Sequence, residues 1–165
     1  MPKSKKPRKK FRPSGAENMN PIGAAIAAAR VFTDQEAGER IDLITESIDR
    51  ACDGKATVDN WDAILFAWTT VDAMAGIPGV MTNGKAACDL VGETLLDIAK
   101  REGEIHVTPL LPSECETLRD FLELYISLVL NVSLAHWSVA EHKATIHRTN
   151  VKRCIMNEAV GEAYA

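Results

Sequence analysis

The amino-acid sequence predicts an all-α protein: a helical bundle of about five helices with a long C-terminal core helix, preceded by a disordered basic N-terminal arm. Two observations carry the fold class. Apolar residues recur at steps of three and four in one segment after another, and nowhere do apolar and polar residues alternate over the length of a strand. The segments are also bounded by caps, prolines and glycines at the points where helices start and stop. A third observation, the distribution of charge, separates arm from body. With 165 residues, 46% of them apolar and 25% charged, the chain has the balance of one globular core, and no internal repeat divides it.

Residues 1–19 are read as the arm, 20–150 as the bundle, and 151–165 as a short C-terminal helix or tail. Lys3, Lys5, Lys6, Arg8, Lys9, Lys10 and Arg12 put seven cations and no acid into the first twelve residues; the whole chain carries −4, so residues 13–165 hold −11. Like charges at this density repel, and the interspersed prolines interrupt a helix, which predicts a solvated segment.

Asn20-Pro21 offers an N-cap and a proline at the first helical position, and Ile22, Ile26 and Ala29 follow at helical spacing, so a first helix is expected to end near Phe32. Thr33-Asp34-Gln35-Glu36 has the form of a capping box. Ala37, Ile41, Ile44, Ile48 and Ala51 repeat behind it and Gly54 stops it, giving a second helix. Thr57 caps a third, with Trp61, Ile64, Leu65, Trp68, Val71 and Ala75 on one face, and Gly76-Ile77-Pro78-Gly79 ends it. From Asn83-Gly84 a fourth carries Ala87, Val91, Leu95 and Ile98 to a basic last turn at Lys100-Arg101. Residues 105–111 form a connector. Ser113-Glu114-Cys115-Glu116 reads as a second capping box, opening a helix from 114 to about 148 with Leu118, Phe121, Leu122, Tyr125, Leu128, Val129 and Val132 as its stripe. Leu124, Ile126, Leu130 and Leu134 lie on its other faces, which predicts that it is surrounded by the bundle or by a second copy of the chain.

Candidate chemistry is sparse. Gly79 to Ala86 reads G-x-x-x-x-G-K-A, but a phosphate loop follows a strand and needs a Ser or Thr hydroxyl where Ala86 stands, so the segment is expected to be a glycine-rich turn. His136, His142 and His147 are spaced five and six apart, which aligns no two imidazoles on one helical face; no metal site and no cofactor are expected. His136 extends the apolar stripe and is expected to be a hydrogen-bonded core or interface histidine. Cys52, Cys88, Cys115 and Cys154 form no C-x-x-C pair and are expected to be mostly buried thiols in a reducing, cytoplasmic compartment, the chain opening on no secretory signal. Phe121 to Ala140 is apolar but interrupted by Glu123, Asn131 and His136, which favours a core helix over a membrane span. Asn131-Val132-Ser133 matches a glycosylation sequon and is read as plain helix.

Two charged features remain. The seven arm cations suit a polyanion, since each neutralised phosphate releases counterions. Asp42, Glu46, Asp49 and Asp53 make one acidic stripe on the second helix, either a solvated face or a docking surface for a basic protein.

Lys9-Lys10-Phe11-Arg12-Pro13, Asn20-Pro21, and Gly54-Lys55-Ala56-Thr57-Val58-Asp59-Asn60-Trp61 leading into an alanine-rich helix resemble small helical proteins encoded by proteobacterial phages and plasmids. That resemblance implies a setting of mobile DNA. It implies no mechanism and assigns no functional residue. The expectation is a non-enzymatic binding or regulatory protein whose arm contacts nucleic acid or a nucleoprotein. The alternative is an anti-CRISPR-like inhibitor whose acidic body occupies a host defence or replication enzyme. A homodimer is compatible with both.

Overall fold

The computed structural model describes residues 28–81, 84–104 and 110–163, with side chains described up to residue 101 and over 110–148. Among the described residues there are five helices and no strand: α1, Asp34–Cys52; α2, Val58–Ala75; α3, Gly84–Glu104; α4, Pro112–Asn131; and α5, Leu134–Ala163. The expected all-α fold is what these residues show. The basic arm, and the predicted first helix up to residue 27, lie outside them; from Arg30 to Thr33 the chain is not helical.

The helix ends follow from local chemistry. Glu36 N–H donates to Thr33 Oγ1 at 3.3 Å and Thr33 N–H to Glu36 Oε2 at 2.9 Å, so both otherwise orphaned donors at the start of α1 are satisfied. At the other end Gly54 takes φ 69°, which lets its N–H reach Ala51 O and the Lys55 N–H reach Arg50 O, the paired bonds of a Schellman motif. Thr57 caps α2 with Asn60 in the place usually held by Glu or Gln; Asn60 also reaches Ser47 Oγ at 3.3 Å and so ties α2 to α1.

Helices α1 to α4 close a ring in which each packs on the next and α4 returns to α1, while α5 packs on α2. With neighbours α1, α3 and α5, α2 has to bury residues around much of its circumference. Ile64, Ala67, Thr70, Val71 and Met74 are buried; the buried Thr70 hydroxyl donates to Phe66 O. The predicted face is therefore rotated, because Leu65 is exposed and Trp61 and Trp68 are only half-buried. On α3 the inner row is Cys88, Val91, Leu95 and Ile98, with Cys88 in the place expected for Ala87.

The helix expected over 114–148 is two helices. Its start also differs: Pro112 is the first helical residue, and the Leu111 N–H donates to Glu114 Oε2 at 2.7 Å, so Glu114 closes the cap and the predicted Ser113/Glu116 box is not formed. The break lies at Val132–Ser133. Asn131 Nδ2 donates to Ser127 O, Val132 is extended at φ −90° and ψ 138°, and the new helix opens with Trp137 N–H on Ser133 O and the Ser133 hydroxyl 3.1 Å from His136 Nδ1. Short polar side chains that bond locally compete with the helix here. One unbroken helix from Pro112 to Ala163 would be about 78 Å long and would carry its second half off the body; the break folds α5 back onto α2. It also shifts the stripe by one residue. Trp137, Ala140 and Ala144 face inward, and His136 is exposed rather than buried.

Half-buried Trp68 lies on the seam between α2 and α3, its indole N–H donating to Cys88 O at 2.9 Å and its ring resting on Gly92. A Cβ at position 92 would stand 2.7 Å from Trp68 Cζ2. Gly92→Ala would stabilise an isolated helix by up to about 1 kcal/mol. Here it is expected to destabilise by about 1–3 kcal/mol, because the two helices must part; thermal melting checks the sign, and a raised Tm would show that the seam yields freely.

Candidate binding cleft

A cleft of about 330 Å³ opens between α1 and α2 and is closed behind by α4 and α5. Ile44, Ala63, Phe66 and Ala67 form its sides, Tyr125 and Trp137 its back, and Glu39, Arg40, Leu43 and Glu141 its mouth. Its size and apolar lining are those of a binding site for a small apolar group. Leu43 remains 55% exposed at the mouth, large for an apolar side chain beside a cleft.

Arg40 organises this end of the molecule. Its Nη1 donates to Glu141 Oε1 at 2.6 Å, and its guanidinium lies 4.5 Å from the centre of the Phe32 ring and 5.7 Å from that of Trp137. Burial pushes the Tyr125 hydroxyl above the ordinary phenol range, with Arg40 opposing, so at neutral pH it is a neutral phenol. Behind the cleft, Trp137 stands edge-on to Phe32 and to Tyr125, with ring centres 5.5 and 5.7 Å apart. On the far rim Arg148 pairs with Asp62 at 2.9 Å and lies over Phe66 at 5.8 Å. The result is an apolar recess framed by two ion pairs, an arrangement suited to holding a side chain.

Of the residues predicted to carry function, the described ones, Asp42, Glu46, Asp49 and Asp53, do not line this cleft. The arm cations Lys3, Lys5, Lys6, Arg8, Lys9, Lys10 and Arg12 lie outside the described residues. Asp42, Glu46, Asp49 and Asp53 are all exposed on the outer side of α1, adjoining the cleft mouth along Glu39 and Leu43. Glu46 pairs with Arg50 at 2.6 Å and Asp53 with Lys55 at 3.0 Å. Glu39, Asp42 and Asp49 make no salt bridge to a described residue. What sequence reasoning missed is Arg40. The available signal was an arginine set between Ala37 and Ile44 on the apolar side of α1; its partner Glu141 is 101 residues away and is marked by nothing local.

The other candidates stand apart from one another. In the glycine-rich segment, which joins α2 to α3, Lys85 is held 2.8 Å from both Asp72 and Asp89, and those bonds keep its ammonium above the ordinary lysine range. Cys88 is buried, and Cys52 and Cys115 are half-buried neighbours. Burial, then the hydrogen bond with Cys115, pushes the Cys52 thiol up to about 12, and burial pushes Cys88 to about 11, so both are protonated at neutral pH. The Cys154 side chain lies outside the described residues. His142 and His147 are exposed. Among the described residues no group of three or more His, Cys, Asp or Glu side chains is placed to hold a metal ion, and no helix is long and apolar enough to cross a membrane. No family model, no curated protein and no solved structure matches the chain.

Proposed function

We propose that this is a non-enzymatic binding or regulatory protein of a mobile element, with a labour division between its two charged parts: the arm contacts nucleic acid or a nucleoprotein, and the acidic body contacts protein. The observation that carries this reading is the charge split of +7 over residues 1–12 against −11 over the rest, taken with the exposed acids along α1. A body of that charge repels a phosphate backbone, so any contact with a polyanion falls to the arm. The apolar cleft beside the acids gives the body somewhere to hold a partner's side chain. The inhibitor reading draws on the same acidic row, which suits the basic groove of a host enzyme.

A salt titration of binding to random-sequence DNA and RNA tests the arm, comparing the full chain with one beginning at Pro13. Full-chain affinity is expected to fall steeply with salt, and the shortened chain to lose as much as about six units of log–log slope, since each phosphate neutralised contributes roughly 0.9. Absence of salt-sensitive binding by either chain to both nucleic acids overturns the arm's role and moves the weight to the inhibitor reading.

A further inference from the structure

We propose that the cleft between α1 and α2 is the resting place of the chain's own basic arm, with the Phe11 side chain seated against Leu43, Ala63 and Phe66. This rests on the reading of the arm as a polyanion clamp and adds its regulation: the docked arm is withheld, and a polyanion draws it out.

Three features of the chain choose the occupant. The recess is apolar and large enough for one aromatic ring, and Phe11 is the sole aromatic residue before Phe32. Phe11 is flanked by Lys9, Lys10 and Arg12, while the cleft mouth carries Glu39 and the adjoining face of α1 carries Asp42 and Asp49, none of which has a cation from a described residue against it. The tether also suits. Phe32 touches Arg40 and Trp137, both in the lining of the cleft, so the chain enters the body beside it. The seventeen steps from Phe11 to Ala28 span at most about 56 Å, enough to turn back into the mouth. A tether of this length sets an effective concentration of order millimolar, which favours the chain's own arm over that of a second copy. The contact joins a ring in an apolar recess to exposed ion pairs, and such pairs are screened by salt and exchanged for phosphates.

Photo-crosslinking tests this in the full chain, with Phe11→p-benzoylphenylalanine irradiated at low salt and the adduct mapped by mass spectrometry. The expected adduct lies within one chain, on Leu43, Ala63 or Phe66. Its yield should drop several-fold with Leu43→Arg, which puts a cation into the mouth at an already exposed position and should leave Tm and helicity unchanged. An excess of random-sequence DNA should lower the yield likewise. No adduct, an adduct elsewhere on the body, or one formed only between chains and growing with concentration overturns the proposal. Steep, salt-sensitive DNA binding without the adduct sinks the docking and leaves the arm's polyanion role standing; the adduct without DNA binding supports the docking and removes that role.

Discussion

Trp137→Ala is expected to lower the unfolding free energy by about 3–5 kcal/mol, the usual cost of emptying a tryptophan site in a packed core. Trp137 is 1% exposed and holds the first turn of α5 against residues that arrive from two other parts of the chain, Phe32 before α1 and Tyr125 on α4. Deleting the indole removes two edge-on ring contacts, each worth about 0.5–1.5 kcal/mol beyond area burial. It also removes one wall of the adjoining cleft, so the void opens to an existing recess and cannot collapse. Against a total stability of about 5–15 kcal/mol this is a large fraction. Urea unfolding should show the midpoint falling by about 2 M for a slope near 2 kcal/mol per molar. Trp137→Phe, which keeps a ring between Phe32 and Tyr125, should recover a good part of that loss. A fall of under 1 kcal/mol for the alanine variant would mean that α5 is held by something else.

Arg101→Ala should be comparably severe, at about 3–5 kcal/mol, through a charge left without its partner. Arg101 on the last turn of α3 makes two bonds of 2.6 Å to the Glu114 carboxylate, and Glu114 in turn accepts the Leu111 N–H that starts α4. One carboxylate therefore closes a helix cap and clamps two helices while nearly buried, at 7% exposure. The Arg101 bonds, then the Leu111 N–H, hold the Glu114 carboxyl below the ordinary carboxylate range. Its folded pKa lies below its unfolded one, so its stabilisation is complete above the unfolded value of about 4.3 and is lost as pH falls through the folded value. In Arg101→Ala the same carboxylate is buried without a guanidinium, its folded pKa rises above the unfolded one, and acidification then favours the folded state at this residue. Glu36 is lowered by its Thr33 bonds and titrates in the same window, so the informative quantity is the difference between variant and wild type. That difference should be largest near neutral pH and shrink towards pH 3; a pH-independent difference would show that the ion pair matters only as packing.

Much of the fold was legible because it is written locally. Thr33 with Glu36, Gly54 and Thr57 each report a helix end through bonds spanning a few residues, and α1 and α2 begin where those residues say. The rest depends on residues distant in sequence. Nothing near Glu114 announces Arg101, so Ser113 and Glu116 looked the better cap. Nothing near Asn131-Val132-Ser133 announces that Leu134 N–H will donate to Arg30 O, so a polar triplet in an apolar run passed for continuous helix. A continuous helix carries the stripe on to His136, whereas the break turns Trp137 inward and leaves His136 exposed. The acidic stripe could be read from spacing alone. The cleft beside it could not, since its lining joins Arg40, Phe66, Tyr125 and Trp137 from four helices.

The closure of the ring by α4, and the late arrival of α5, set a schedule for synthesis on the ribosome. α1 and α2 leave the exit with their inner faces complete, but the residues that cover them, Phe121, Tyr125 and Trp137, come last. At about 5–20 residues per second, the interval between Cys52 and Trp137 is on the order of ten seconds. For that time Ile44, Ile48, Ile64 and Val71 form an open apolar surface on a nascent chain, so the first half of the protein is a natural client for a chaperone that binds at the tunnel mouth.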